Sequence, residues 1–407
     1  MKRHPLRKAQ PSRNVELEIR ALAFGGEGVG SVEGKACFVE GTLPGETVIA
    51  RVTQDKKRFM RAKLLKVVEA SAARVEPPCP FVENCGGCQY QHIAYAEELR
   101  LKEAQVREAF QRAFGLPGDA VRSIRRGARD YRYRNSVTLH AAGRGPKGSG
   151  PGAPAFVGRD NRTLVPVTDC LLVDERLRGA FTPPLRPGRG ADKATFRLDS
   201  QGHAVSDHDD RFLRVNVAGE EFVAHSRGFF QNNLEVTADL AAVLAEWVAR
   251  TAPEVFYDLY GGVGTFGFLA ARGVPRLVCI EEHPGSLQAL RMNRSEKGRS
   301  ASLEIVEGSV EKAFPLVWRR PDRAGRSFIC LDPPRAGLDG ALCRFLEEQV
   351  DAAAIAYVAC DLPCLVRDLG VLLERGRYGV REVVPFDMFP RTKHIEVAVL
   401  LERRSAS

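Results

Sequence analysis

The sequence has no apolar run that approaches the roughly 20 residues of a membrane span. Its first residues, Met1–Pro5, are basic and lack the apolar core of a secretory signal. Both absences argue against a membrane or secreted protein, and we expect a cytoplasmic one. In that compartment the 10 cysteines are more readily thiols, metal ligands or nucleophiles than disulfides.

Acidic residues are in deficit, with 51 Asp and Glu against 60 Lys and Arg, which gives a net charge of +9. A basic balance favours a polyanionic partner, although net charge says nothing about the fold. The hydrophobic content of 44% and the charged content of 27% are those of a soluble globular protein. A length of 407 residues suffices for about two to three domains.

A glycine-rich stretch follows the apolar run Val255–Tyr260, which contains one acid, Asp258. The run, three glycines within four positions and a helix-forming segment predict a buried parallel strand, a tight turn and a helix. Such a turn lets backbone N–H groups approach a ligand at the positive end of the helix. A second predicted strand, Arg276–Glu282, brings Glu281 to its tip, where it can accept hydrogen bonds from a ribose. Because of this acid, we interpret the turn as a binding site for a nucleoside-containing cofactor and not as a tight turn that binds no ligand.

Residues 13–70 consist of short alternating runs broken by glycine, which is typical of a small β-barrel of the OB type. A turn is predicted at Phe24–Gly30, and the predicted strands are Val15–Arg20, Ala36–Glu40, Thr47–Ala50 and Arg61–Val68. Residues 1–12 are predicted to form a disordered basic tail. The edge Arg51–Lys66 holds seven Lys and Arg around Phe59 against one acid. A basic groove with a stacking aromatic is typical of nucleic-acid binding, and a solvated charged hairpin is the alternative.

Three cysteines, Cys79, Cys85 and Cys88, follow a C-x5-C-x2-C spacing in a loop rich in proline and glycine. Three thiolates cannot complete a structural zinc site or supply all four ligands of an iron–sulfur cluster. Cys170 is the nearest candidate in sequence for the fourth ligand, and His92 is interpreted as structural. The spacing alone does not distinguish zinc from an iron–sulfur cluster.

A central α+β domain is predicted for residues 71–230, with a helix at Tyr95–Phe114. The segment Arg122–Arg134 holds six arginines around Tyr131 and Tyr133. Arginine forks and tyrosine rings suit phosphates and unstacked bases, and a solvated basic face is an equal alternative. Residues 143–152 are rich in glycine and are predicted to form a flexible loop.

Residues 231–407 alternate helical and apolar segments, which predicts an α/β fold. A helix is predicted at Leu234–Arg250, and strands are predicted at Ser327–Leu331, Ile355–Ala359 and His394–Leu401. Asp332 and Cys360 directly follow two of these strands. Doubly wound sheets bind ligands at the carboxyl ends of their strands, so we expect the functional site there.

A cysteine and a carboxylate near a nucleoside cofactor suggest a methyltransferase that forms a covalent adduct. Uracil C5 becomes nucleophilic when a thiolate adds to C6, and a thiolate can later leave again. Once C5 has taken a methyl group, a base must remove the C5 proton. Cys360 is the predicted nucleophile, ahead of Cys364 in the following helix, and Glu396 is the predicted base. The alternative for Cys360 is a small thiol buried in the core, and the alternative for Glu396 is an exposed carboxylate on a strand.

Over nearly its whole length the sequence resembles the RNA uracil-5 methyltransferase family, in the branch with a TRAM domain and a [4Fe-4S] cluster. The barrel segment is similar to a TRAM domain at Ala23–Gly30 and Gly41–Glu46. The other shared motifs are the cysteine loop with Cys170, Phe230–Asn233, Asp258–Thr265, Asp332–Gly337, Tyr357–Cys360, Leu365–Asp368 and the very specific Asp387–Glu396. The resemblance implies a Rossmann-like methyltransferase domain acting on 23S ribosomal RNA, with transfer RNA as the alternative.

The same resemblance implies that Cys360 is the nucleophile and Glu396 the base. It implies an S-adenosylmethionine pocket formed by Gln231, Tyr260, Thr265, Glu281, Ser309 and Asp332. It also implies that a [4Fe-4S] cluster, structural and RNA-orienting in role, is held by Cys79, Cys85, Cys88 and Cys170. We expect a monomer without an obligate protein partner.

Three positions depart from the family pattern. The usual Ser-Cys-Asn-Pro reads Ala-Cys-Asp-Leu at 359–362, and Asp361 would raise the pKa of the nucleophilic thiol if its carboxylate faced the site. Gly261 stands where the family has a cysteine, a change expected to be harmless. The acid often found near Ser309 is absent, which weakens that assignment alone.

Three other classes are disfavoured by the sequence. Radical S-adenosylmethionine enzymes need a C-x3-C-x2-C loop, which the observed spacing does not match. A non-catalytic RNA-binding protein or chaperone would predict the loss of Cys360 or Glu396. A 5-methylcytosine enzyme places a cysteine beside the proline after the fourth strand, where Arg335 stands.

Overall fold

The computed structural model describes residues 13–143, 152–187, 191–299, 302–321 and 325–404. The predicted basic tail and most of the predicted flexible loop lie outside the described residues. By its internal contacts the chain divides into two units. The first takes in the chain up to Glu83, Gly87–Gln105 and Arg391–Lys393, and the second takes in Asn84–Gly86, Val106–Pro390 and the chain from His394.

The first unit contains the predicted β-barrel, which is closed by five strands in the order β1-β2-β3-β5-β4. Its strands are β1 (Asn14–Leu22), β2 (Glu27–Val32), β3 (Lys35–Glu40), β4 (Thr47–Asp55) and β5 (Phe59–Glu69). Alternate residues point inward and form one apolar cluster that includes Leu17, Ile19, Val39, Val48 and Met60. The predicted helix is confirmed as α1 (Tyr95–Phe114).

The predicted turn Phe24–Gly30 is wrong in its second half, because β2 begins at Glu27. The glycines in this strand serve close packing. A Cβ atom at Gly28 would lie 2.1 Å from the Thr42 hydroxyl oxygen, and one at Gly30 would lie 2.4 Å from the Glu18 carbonyl oxygen. Both glycines therefore allow neighbouring parts of the barrel to approach where a side chain would collide.

The second unit opens with β6 (Arg125–Arg126) and a five-stranded antiparallel sheet in the order β11-β10-β7-β8-β9. These strands are β7 (Ser136–Ala142), β8 (Ala153–Val157), β9 (Leu164–Pro166), β10 (Lys193–Leu198) and β11 (Ala204–Ser206). A two-stranded ribbon of β12 (Phe212–Val217) and β13 (Glu220–His225) follows. This antiparallel region lies within residues 71–230, for which a central α+β domain is predicted.

The rest of the second unit is built on an eight-stranded sheet in the order β16-β15-β14-β17-β18-β20-β19-β6. Its strands are β14 (Val255–Leu259), β15 (Arg276–Glu281), β16 (Leu303–Glu307), β17 (Ser327–Leu331), β18 (Ala354–Ala359), β19 (Tyr378–Asp387) and β20 (Glu396–Arg403). Strands β14 to β18 run parallel to one another, and β20 runs antiparallel to both β18 and β19. This arrangement confirms the predicted α/β fold with a largely parallel sheet.

Six helices cover the large sheet: α2 (Leu234–Thr251), α3 (Thr265–Ala270), α4 (Pro284–Glu296), α5 (Val310–Trp318), α6 (Gly340–Gln349) and α7 (Leu362–Leu372). The strands β14, β17 and β18 are buried along their whole length, as expected for a parallel sheet covered on both faces. None of the helices in the described ranges is long and apolar enough to cross a membrane.

Two features of the large sheet differ from the prediction. The sequence did not predict β19, whose run contains Pro385 and charged residues. The last strand begins at Glu396, two positions later than predicted, because His394 and Ile395 precede the ladder that pairs β20 with β18. The later start places Glu396 at the first position of the strand.

Glu46 is a buried anchor of the barrel unit, and its removal should destabilise that unit. Its side chain is fully buried, accepts the Leu43 N–H at 3.0 Å and pairs with Arg74 at 2.8 Å. Since breaking a buried ion pair leaves an uncompensated charge, we expect Glu46→Ala to lower the free energy of unfolding by ~3 kcal/mol. Native-state hydrogen exchange of the barrel amides would measure this loss. The exposed Glu16→Ala is the control, and equal protection in both variants would contradict the prediction.

Candidate active site

The parallel strands bring most of the predicted site residues to one edge of the large sheet. Tyr260, Asp332 and Cys360 directly follow β14, β17 and β18, while Glu281 ends β15 and Ser309 lies two residues past β16. Because the carboxyl ends of parallel strands meet at one edge, five strands converge on a single crevice. Among them, β14 lies between β15 and β17 and pairs with both.

The glycine turn between β14 and α3 has the backbone of a nucleoside-binding turn. Gly262 and Gly264 have φ values of +58° and +87°, which favour glycine. The Gly262 N–H donates to the Glu281 carboxylate at 2.8 Å. A Cβ atom at Gly262 would meet nothing within 4 Å, so the backbone there is open to a ligand. The turn fits the close approach of a nucleoside cofactor.

Glu281 is held in place by the backbone around it. One carboxylate oxygen accepts the Gly262 N–H, and the other accepts the N–H groups of Glu282 and His283 at 2.9 and 2.6 Å. The carboxylate is therefore oriented in the absence of any ligand. The oxygen that accepts the Gly262 N–H retains capacity for a further donor such as a ribose hydroxyl.

Gly261 and Cys279 fit together behind the turn. A Cβ atom at Gly261 would lie 2.3 Å from the Cys279 thiol sulfur and 3.0 Å from the Asp258 carboxyl carbon. The Asp258 carboxylate, whose pKa burial raises to about 8, accepts the Gly267 N–H at 3.0 Å. Asp258 is thus a structural anchor of α3. The family's cysteine at 261 would have no room in this chain, because the Cys279 thiol fills its place.

Tyr260 adopts a left-handed backbone conformation, with φ of +63°, that few non-glycine residues take. Its hydroxyl donates to the Glu311 carboxylate at 2.7 Å. Ser309 is the N-cap of α5, but its side chain makes no capping hydrogen bond, and Thr265 begins α3 as a buried residue. The family's usual acid near Ser309 is absent, but Glu311, two residues further on, places a carboxylate beside Tyr260.

Gln231 and Asp332 meet across the crevice. The Gln231 side-chain amide donates to the Asp332 carboxylate at 3.3 Å. Two residues later, Asn233 caps α2 by accepting the Val236 N–H and donates to the Met388 carbonyl at 3.3 Å. The motif Phe230–Asn233 is therefore anchored by its last residue and presents Gln231 to the sheet edge.

Cys360 and Glu396 face each other at the ends of paired strands. The antiparallel ladder between β18 and β20 joins Ala359 to Val397, and the next step of that register sets Cys360 opposite Glu396. Glu396 is only 6% exposed. The Cys360 thiol remains partly accessible, so a ligand in the crevice can reach it while Glu396 lies behind.

Burial and neighbouring charges set the protonation of this pair. Burial first, and then the Glu396 carboxylate, raise the pKa of the Cys360 thiol to about 12, while Arg335 opposes this shift. Burial and the Asp332 carboxylate raise the pKa of Glu396 well above its usual range, again against Arg335. Burial likewise raises the pKa of Asp332. In the free protein the thiol is protonated, and Glu396, once ionised, is a stronger base than an exposed glutamate.

The Asp361 carboxylate lies at the start of α7 and is not among the charges that act on the Cys360 thiol. This carboxylate is the N-cap of α7 and accepts the Cys364 N–H at 3.0 Å. It raises the pKa of Cys364, whereas the charges acting on Cys360 are Glu396, Arg335 and Asp332. Asp and Asn are equivalent N-caps, so the change from the family's asparagine preserves the start of the helix.

Several of the six arginines between Arg122 and Arg134 are bound within the protein. Arg122 contacts Glu246, Arg125 contacts Asp239 at 2.8 Å, and Arg132 forms a bidentate pair with Asp169 at 2.7 and 3.0 Å. The hydroxyl of Tyr133 is buried and donates to the Pro390 carbonyl. These contacts favour the structural alternative over RNA binding for the residues they involve.

In the part of the chain that the structure describes, none of the four predicted cluster cysteines forms a disulfide. Cys79 and Cys88 belong to the first unit, and Cys85 and Cys170 belong to the second. Cys85 lies near enough to Cys170 to contribute to raising the pKa of its thiol, although burial is the main cause. Within the described ranges, no three His, Cys, Asp or Glu side chains form a group that could hold a metal ion.

Three residues of the crevice were not predicted as site residues. Arg335 was used only to exclude another enzyme class, although it lies in a quoted motif and acts on both Cys360 and Glu396. Glu311 lies two residues after Ser309 in the sequence and could have been found as one of the two acids nearest to it. Phe229 is 64% exposed, and a large exposed aromatic beside Gln231 suits a stacked base. No periodicity marks such a residue in the sequence.

The fold and this edge define an S-adenosylmethionine-dependent methyltransferase. A sequence model described as tRNA (uracil-5-)-methyltransferase matches residues 204–404, and a TRAM domain model matches residues 8–65. An uncharacterized RNA methyltransferase of Thermosynechococcus vestitus is 30% identical over 96% of this chain and 98% of its own length. One of Listeria innocua is 29% identical over 99% of this chain and 100% of its own.

Among solved structures, the chain is similar to Pyrococcus abyssi tRNA (uracil-54, C5)-methyltransferase in complex with S-adenosyl-L-homocysteine. The TM-score is 0.68 at 21% identity, over 95% of this chain and 99% of that one. At this identity the likeness shows the fold. The sequence matches establish that the chain belongs to the RNA uracil-5 methyltransferase family and carries a TRAM domain. The protein is an S-adenosylmethionine-dependent RNA methyltransferase.

The packing of Gly261 against Cys279 predicts a compensating pair of substitutions. Gly261→Ala should lower the melting temperature, because its Cβ overlaps the Cys279 sulfur and overpacking costs ~1–3 kcal/mol. Adding Cys279→Ala should restore most of that loss by removing the sulfur. Gly370→Ala in α7 is the matched control, since its Cβ would meet nothing within 4 Å. Thermal unfolding of the unchanged protein, the single variants Gly261→Ala and Cys279→Ala, the double variant and the control tests this, and additive effects of the two substitutions would refute it.

Proposed function

We propose that the protein methylates C5 of a uridine in RNA through a covalent bond between Cys360 and uracil C6, with Glu396 as the base. The observation that carries this proposal is the register that sets Cys360 opposite Glu396 at the edge where the cofactor turn lies. S-adenosylmethionine supplies an electrophilic methyl group. Gln231, Tyr260, Thr265, Glu281, Ser309 and Asp332 are the residues proposed to bind it.

The electrostatics of the pair support the assigned roles. The Cys360 thiol loses its proton to water, and attack of the thiolate on C6 forms the S–C bond and moves an electron pair toward C5. C5 then bonds to the methyl group as the bond from that methyl to the sulfonium sulfur breaks, which releases S-adenosyl-L-homocysteine. The methylated adduct still carries the C5 proton. Transfer of that proton to the Glu396 carboxylate restores the C5–C6 double bond and expels the thiolate. Burial favours this step, because it makes the Glu396 carboxylate basic.

We propose 23S ribosomal RNA as the substrate, because the four cysteines resemble those of the branch that acts mostly there. Transfer RNA is the second candidate, since the matching family model and the similar Pyrococcus abyssi enzyme both carry tRNA in their descriptions. The barrel edge Arg51–Lys66 is the proposed RNA-binding surface in either case. Its Phe59 is partly exposed and packs edge-on against Phe38 with ring centroids 6.1 Å apart.

Methyl transfer to unmodified RNA tests both the reaction and the substrate. We expect 5-methyluridine from either 23S ribosomal or transfer RNA, detected by nucleoside mass spectrometry. Cys360→Ala should reduce the rate by at least ~10³-fold while S-adenosylmethionine still binds. Cys364→Ala is the matched control and should remain active. Methylation that survives in Cys360→Ala but not in Cys364→Ala would assign the nucleophile to the other cysteine.

The base is tested by trapping the adduct. Glu396→Gln should still form the Cys360–C6 bond and accept the methyl group, but proton removal from C5 should be blocked. A protein–RNA complex that resists denaturing electrophoresis is therefore expected in the presence of S-adenosylmethionine. Release of 5-methyluridine by Glu396→Gln at the rate of the unchanged protein would argue against Glu396 as the base.

We also propose that Cys79, Cys85, Cys88 and Cys170 bind a [4Fe-4S] cluster. Their spacing and the proximity of Cys85 to Cys170 support this, whereas the described residues contain no preformed group of three ligands. Protein purified anaerobically should contain about four iron and four sulfide per chain. Cys85→Ser should lose them and Cys364→Ser should keep them. One zinc per chain, or no bound metal, would rule out the cluster.

A further inference from the structure

Asp368 is a buried carboxylate that joins three parts of the active-site unit. It is 2% exposed. One of its oxygens accepts the Tyr357 hydroxyl at 2.7 Å and the Leu338 N–H at 2.8 Å, and the other accepts the Arg367 side chain at 2.8 Å. Tyr357 lies in β18, Arg367 lies in α7, and Leu338 lies in the loop after β17. Asp368, which itself lies in α7, thus hydrogen-bonds both to β18 and to the loop after β17, and β18 and α7 are the elements on either side of Cys360.

The loop approaches Asp368 so closely that only glycine fits. Gly337 has φ of +76°, and a Cβ atom there would lie 2.4 Å from the Asp368 carboxylate and 2.6 Å from the Arg367 guanidinium. Arg367 adds a second bond, from its guanidinium to the Ala336 carbonyl at 2.8 Å. The segment 336–338 is therefore hydrogen-bonded to α7 through Ala336 and Leu338, and Gly337 between them packs closely against Asp368.

The fastened loop is the one that carries the charges of the active site. It begins at Asp332, directly after β17, and contains Arg335. Asp332 and Arg335 are, with Glu396, the charged groups that act on the Cys360 thiol. Arg335 itself makes no hydrogen bond or ion pair with the described residues, so its position depends on the loop backbone.

We propose that Asp368 is a positioning residue for methyl transfer: it fixes the loop that carries Asp332 and Arg335 relative to the strand that ends at Cys360. The proposal rests on the proposed function, in which Cys360 is the nucleophile. Asp368 does not touch the reacting atoms. It acts through Tyr357, Leu338 and Arg367, and its removal should change the surroundings of the thiol.

The direction of the change follows from the groups that face Cys360. Arg335 lowers the pKa of the thiol more than Asp332 raises it, and Glu396 lies on β20, outside the loop. Freeing the loop should therefore raise the pKa of the Cys360 thiol further. At any pH below that pKa, a smaller fraction of Cys360 would then be thiolate. Around Asp368 itself, the ionisable neighbours are Tyr357, Arg367, Cys343 and Cys364.

The test combines kinetics with the reactivity of the free thiol. Asp368→Asn keeps the shape but removes the charge, and Tyr357→Phe removes one donor to the carboxylate. Tyr378→Phe is the matched control, because Tyr378 is an equally buried tyrosine whose hydroxyl donates to the carbonyls of Val350 and Ala352, away from the site. Iodoacetamide labelling of Cys360 is read by peptide mass spectrometry between about pH 7 and 9, without RNA or cofactor.

We expect Asp368→Asn to lower kcat by about 10-fold, with KM for RNA and cofactor within about 2-fold, because misplaced catalytic groups affect the reacting state. Labelling of Cys360 should slow by at least ~3-fold at the upper end of the pH range. Tyr357→Phe should show smaller changes in the same directions. Tyr378→Phe should lower the melting temperature and leave kcat and labelling unchanged.

If Asp368→Asn fails to fold, Tyr357→Phe alone decides between the two roles. Unchanged kcat and labelling in the folded variants, with only a lower melting temperature, would show that Asp368 is a purely structural residue. A failure of the proposed function gives a different pattern, since Cys360→Ala would then retain methyl transfer whatever Asp368→Asn does.

Discussion

The antiparallel pairing of β20 with β18 is the constraint on which the active site depends. Had the last strand run parallel to its neighbour, its first residue would lie at the opposite edge of the sheet. Because it reverses, Glu396 begins β20 at the edge where β18 ends in Cys360. The two residues are therefore brought together one step beyond the last pair of the backbone ladder, Ala359 with Val397.

The sequence predicted the elements that have strong local signals. The strands at Ser327–Leu331 and Ile355–Ala359 and the helix at Tyr95–Phe114 were found because their apolar runs are bounded by residues that end strands and helices. The strands β2 and β19 were missed. In both, glycine or proline occupies strand positions for reasons of packing between segments, which a local pattern does not reveal.

The site could be predicted only in part. The glycine turn and Glu281 have a recognisable spacing, and Cys360 and Glu396 were predicted from the chemistry and from their places at strand ends, but no local rule reveals that β18 and β20 are paired. The role of Asp361 was open until its carboxylate was found to cap α7. Contacts such as Tyr260 with Glu311 join separate loops, and they become visible only when the sheet brings its strand ends together.

The bonds from backbone amides to Glu281 also bear on how strongly the cofactor is held. Three N–H groups orient this carboxylate before any ligand arrives, so its rotamer freedom is lost during folding. Ordering a side chain on binding costs about 0.5–1.5 kcal/mol, and a preorganised acid avoids that loss. A ligand that hydrogen-bonds to Glu281 would therefore meet a carboxylate that is already ordered.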